Sequence, residues 1–131
     1  MKNIIYSAIV TLSLLPLAGF AQPTATPWPE LKSFHAMISA TFHPSEEGNF
    51  KPLRQKADSL LIVAKLWQAS PIPEGYKIAL TKSTLIKLVK QCGLIKTSVK
   101  SKTSDAKLKM MISEAHDIFH TIVEKCREAE M

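Results

Sequence analysis

The sequence predicts an all-α protein, an antiparallel up-down-up-down four-helix bundle. Three observations predict it. Four stretches carry apolar residues at alternating spacings of three and four, the period of one helix face. Proline, glycine or a short polar turn separates each stretch from the next. Nothing alternates with the period of two that marks a strand.

The first helix opens at Trp28-Pro29, since proline is tolerated in a first turn. Its stripe is Leu31, Phe34, Ile38 and Phe42, and Pro44 is expected to end it, with Pro44 to Asn49 as a loop. The second runs from Phe50 or Pro52 to Ala69 on Leu53, Ala57, Leu60, Ala64 and Trp67. Pro71-Ile72-Pro73-Glu74-Gly75 stops it. The third begins between Tyr76 and Thr84 and reaches Val99 on Leu85, Leu88, Cys92, Ile95 and Val99. Gly93 inside it costs about 1 kcal/mol relative to alanine. Ser104 or Asp105 caps the fourth, which extends to Arg127 on Leu108, Ile112, Ala115, Phe119, Ile122 and Cys126.

Residues 1–21 stand outside this fold. Lys2, the apolar run Ile4 to Leu17 and the small residues of Gly19-Phe20-Ala21 make a secretory signal peptide, cut between Ala21 and Gln22. Residues 22–27 are a polar tether and residues 28–131 the bundle domain. The expected location is the periplasm or the exterior, with no stable membrane insertion after cleavage. The chain carries a formal charge of +6. Its lysines are scattered along helix faces and not interleaved with aromatics. They predict a solvated surface with some attraction to anionic membranes, and no nucleic acid partner. Cys92 and Cys126 would enter an oxidising compartment, which favours a disulfide. A hairpin turning at Thr103, however, leaves them about 18 Å out of register at the helical rise, and a disulfide needs Cα atoms within about 7 Å. Both lie on apolar stripes, so buried free thiols are expected.

The histidines carry the functional signal. His116 and His120 are four apart on the fourth helix, so their imidazoles project from neighbouring turns of one face, as a metal site needs. His35 falls within the apolar stripe of the first helix. With His43 level with Ala106, His35 lies level with Glu114 to His116, and His35, His116 and His120 form a three-imidazole site. His43 lies about 12 Å further along the axis. With Glu46 or Glu47 it makes a separate weak site, or simply ends its helix, the two carboxylates being ordinary charges beside the second helix. Zinc or copper suits imidazole ligands best. The bland alternatives are an interface histidine at 35, an exposed polar residue at 120, a surface Met37 and a core Trp67. No nucleophile–base pair, phosphate loop or paired carboxylates is present, so an enzyme is not expected.

The stretch His116-Asp117-Ile118-Phe119-His120 resembles the Cys-His-Asp-x-Phe-Arg ending of cytochrome c-prime and the His-x-x-Tyr-Arg ending of the small soluble b-type cytochrome. The chain is also similar to secreted bundles with Phe-His-x-Met, Thr-Phe-His-Pro-x-Glu-Glu-Gly-Asn and His-Asp-x-Phe-His. The cytochrome resemblance implies a secreted four-helix bundle with His116 as a haem-iron ligand. Covalent haem needs Cys-x-x-Cys-His, and Ile112-Ser113-Glu114-Ala115 precede His116 instead. A non-covalent haem b electron carrier would add His35 or Met37 as the second axial ligand. His120, where those families have arginine, favours a bare metal ion. A structural or interaction module without metal is the remaining alternative.

Overall fold

The structure, a computed structural model, describes Gly19 and residues 26–129. The expected signal peptide and most of the tether lie outside the described residues. Four helices follow in order: α1 Pro29–Glu46, α2 Lys51–Ala69, α3 Ile78–Lys100 and α4 Asp105–Lys125. Each packs against its sequence neighbours, and α1 closes the ring against α4 in the thinnest of the four interfaces. This is the up-down four-helix bundle that the four stripes predict.

The stripes account for most of the core. All five stripe residues of α2 are buried, as are Leu108, Ile112, Ala115, Phe119, Ile122 and Cys126 at α4. Trp67 is wholly buried, as expected for a core residue. On α3, Leu85, Leu88, Cys92 and Ile95 are buried and Val99 only half-buried. Gln91 enters the core from beside the stripe because its amide donates to the Met111 carbonyl at 2.9 Å. Thr81 and Thr84 do so because their hydroxyls donate back to the carbonyls four residues earlier. Met37, read as a surface residue, is half-buried against the core.

The first helix ends differently from the reading above. Pro44 lies inside α1, which continues to Glu46. A proline's fixed φ is compatible with a helix; it costs one i→i−4 bond and crowds the carbonyl four residues back, and α1 takes it in its last turn. What stops the helix is Gly48, at φ +85° in the left-handed region that favours glycine. Gly48 N–H donates to Ser45 O at 3.1 Å and Asn49 N–H to Pro44 O at 2.8 Å, the paired bonds of a Schellman cap. The same pair closes α3, where Lys102 takes the left-handed position at φ 55°. At the start of α4 the Ser104 hydroxyl accepts from Lys107 N–H at 3.3 Å, the expected cap, and α4 ends two residues short of Arg127.

An aromatic cluster fixes how α1 lies on its neighbours. Phe34 packs on Trp67 and on Phe119 with ring centres 5.4 and 5.8 Å apart. Trp28 stands edge-on to Trp67 at 5.5 Å and to Tyr76 at 4.9 Å. Its indole N–H donates to the Ser70 hydroxyl at 2.8 Å. At that end of the bundle Tyr76 and Arg127 form an isolated antiparallel bridge. At the other end Arg54 of α2 reaches α4, donating to Thr103 O at 2.8 Å and Asp105 at 2.7 Å.

Both cysteines are free and buried. Burial pushes the Cys92 thiol up to about 12, far above the range in which a thiolate forms. A thiol reagent is therefore expected to label neither cysteine in the native protein and both after denaturation. Mass spectrometry of the labelled chain checks this. At Gly93 a methyl group would meet nothing within 4 Å, so Gly93→Ala is expected to add about 1 kcal/mol in a denaturant melt.

Candidate metal centre

The register of α1 on α4 decides which histidines meet. Phe42, one of the buried stripe residues of α1, stacks on the His116 ring at 3.8 Å between centres. The next residue, His43, then stands edge-on to His116 at 6.3 Å. His43, expected beside Ala106, thus sits beside His116. It lies three residues before the end of α1, whereas His116 lies eleven after the start of α4. At the helical rise, α4 overhangs α1 by about 12 Å. Placing His43 level with Ala106 gave the wrong register; the buried rings set the true one.

His116 and His120 come together as the spacing predicts. Their Nε2 atoms are 3.2 Å apart. Both residues are half-buried, with His116 against Phe42 and His120 edge-on to Phe119 at 5.5 Å. The other ring nitrogen of His120, Nδ1, lies 3.1 Å from Glu124 Oε1. On the far side of the seam His43 Nδ1 lies 3.5 Å from Glu46 Oε2. In each case a carboxylate one turn away takes the Nδ1 side and leaves Nε2 to other partners. A carboxylate on the outer nitrogen fixes the tautomer and ring direction of a histidine that binds metal.

Burial and the neighbouring imidazole of His120 lower the His116 pKa, and His43 adds to the fall; Asp117 and Glu46 work the other way. The neutral ring, the form able to bind a metal, is therefore favoured at residue 116.

The other expected residues stand apart. His35 is exposed, and its ring stacks on Phe119 at 5.2 Å. Among the described residues no hydrogen bond or ring pairing joins His35 to His116 or His120. Glu47 is the exposed C-cap of α1, and it is Glu46 that meets His43. Glu124 escaped the sequence reading, although its i, i+4 spacing from His120 was the signal. Among the described residues, no three histidine, cysteine, aspartate or glutamate side chains are already grouped to hold a metal ion. The preformed element is the His116–His120 pair.

A haem does not fit His116 in this arrangement. An iron on its Nε2 would have to displace the His120 nitrogen 3.2 Å away, and Phe42 covers one face of the ring. No protein-family model, curated protein or solved structure matches the chain. What the chain shows is an all-α four-helix bundle, with no family identified.

The shift at His116 has a consequence for the metal-free protein. The unfolded chain takes up a proton at residue 116 at a pH where the folded chain does not. Its contribution to stability is complete above the ordinary histidine value and is lost as pH falls through that value toward the lower folded one. Thermal melts from pH 8 to 5 are expected to show a falling Tm. His116→Gln is expected to flatten that fall.

Proposed function

We propose that this protein is a haem-free four-helix bundle that binds zinc or copper outside the cytoplasm, in metal handling rather than catalysis. The observation that carries the reading is the 3.2 Å separation of two Nε2 atoms on consecutive turns of α4. With metal–nitrogen bonds of about 2.0–2.1 Å, that separation corresponds to an N–metal–N angle of about 100–105°, close to tetrahedral. A linear two-coordinate ion would need the nitrogens further apart. Zinc, or copper in a tetrahedral site, is the cargo this pair suits.

His43 supplies the third imidazole. It stands on the opposite helix with Nδ1 toward Glu46, leaving Nε2 unpaired by that carboxylate. Its ring centre is 6.3 Å from that of His116, and a side-chain rearrangement that brings its Nε2 to the pair would place three imidazoles on one tetrahedral ion. The site then bridges α1 and α4 with one position left to water or to an exchanging partner, as suits storage or delivery.

Titration with zinc and with cuprous ion, read by calorimetry or chelator competition, tests this. His116→Ala and His120→Ala are each expected to weaken binding by more than about 100-fold, beyond the roughly 10–100-fold cost of losing a group that only supports a ligand, and His43→Ala by about 10-fold or more. His35→Ala is expected to leave affinity unchanged. Equal affinity in all four variants, or a loss at His35 as large as at His120, would refute the assignment. So would a haem absorption band in the purified protein with no bound zinc or copper.

A further inference from the structure

The face of the bundle diametrically across from the His43 side is built from α3, and its charge is of one sign. Over Ile78–Lys100 the helix carries Lys82, Lys87, Lys90, Lys96 and Lys100 and no acidic residue. Lys96 is paired, 3.4 Å from Asp58 of α2. The other four are exposed and make no ion pair among the described residues. At 100° per residue, Lys82, Ile86, Lys87, Lys90, Leu94 and Lys100 fall within an arc of about 140°, opposite the buried Leu88, Cys92 and Ile95. Ile86 and Leu94 are 57% and 48% exposed within this arc. Glu114 of α4 is the acidic neighbour, at the edge of the groove lined by Lys87, Lys90 and Leu94.

We infer that this outer face of α3 docks the protein on an anionic lipid surface. Lysines supply attraction to a negative headgroup plane, and the two aliphatic side chains between them supply apolar contact at its boundary. The exposed Ile86 and Leu94 among the lysines favour lipid over a nucleic acid duplex, whose phosphates offer them no apolar contact, and α3 has no aromatic side chain on which a single strand could stack. No helix among the described residues is long and apolar enough to cross a membrane, so the contact lies in the interface plane. Docking through α3 turns the α1–α4 seam toward water. This inference does not depend on the metal reading.

Sedimentation with vesicles of phosphatidylglycerol, of phosphatidylcholine and with a DNA duplex in place of vesicles tests it. The protein is expected to bind the anionic vesicles alone, more weakly as salt rises. With about fivefold per lysine, the triple change Lys82→Gln, Lys87→Gln, Lys90→Gln is expected to weaken binding by about 100-fold, and the same three changed to arginine to retain it. Ile86→Ser with Leu94→Ser is expected to cost several-fold more than it does on any soluble polyanion. Neutralising Lys32, Lys51 and Lys109, which lie on the other three helices, is expected to have a far smaller effect than the α3 triple. Equal losses from both triples would mean diffuse charge and would overturn the inference. Equal binding to both lipids, binding to neither, or retention of DNA in preference to vesicles would overturn it as well. All substituted residues are exposed, and circular dichroism confirms that each variant is folded.

Discussion

The packing of Phe34 between Trp67 and Phe119 is the constraint on which the rest of the molecule depends. Three large rings from α1, α2 and α4 meet there with centres 5.4 to 6.0 Å apart. Rings of this size interlock at few offsets, so the contact fixes where α1 sits along α4. Trp28 fixes the start of α1 on the end of α2 through its edge contact with Trp67 and its bond to Ser70. Two turns further on, Phe42 lands on His116 and carries His43 with it. The position of the histidines is thus a result of aromatic packing in the core.

That packing has a polar cost. The indole N–H of Trp67 has no hydrogen-bond partner among the described residues, and an orphaned buried donor costs about 1–3 kcal/mol. It is surrounded by the aromatic side chains that set the register. Elsewhere the buried polar side chains find partners, Gln91 across to the Met111 carbonyl of α4 and the hydroxyls within their own helices. Thr41 and Ser45 return their hydroxyls to carbonyls of the preceding turn at 2.7 to 3.1 Å. This lets α1 carry small polar residues through the core and past Pro44 without losing its course.

The fold was legible because each stripe obeys one period and each break has its own chemistry. Leu53 through Trp67 is buried at every position the period marks. The end of α1 differs from the expectation because proline is the louder signal, while the cap that stops the helix is made by Gly48, four residues after Pro44. The His116–His120 pair was legible because one helix carries both residues, and spacing alone sets their separation. The partner from α1 was not. It depends on the offset between two helices that loop length does not determine and that ring shape does. Glu124 went unassigned, and Glu46 stood only as an alternative to Glu47, for a simpler reason: carboxylates one turn from a histidine are common, and only their distance to Nδ1 gives them meaning.

The seam between α1 and α4 differs from the other three interfaces in kind. The others join consecutive helices through short turns and bring together residues close in sequence, contacts that cost little loop entropy and form early. The α1–α4 seam joins the two ends of the domain, and it is also the thinnest interface. Closing it costs the most loop entropy of the four, and it is the natural place for the native structure to open locally. A bridge from His43 to His116 would span nearly the whole domain and act as a clasp on its first-opened joint. Occupancy of the centre and closure of the fold would then be a single equilibrium.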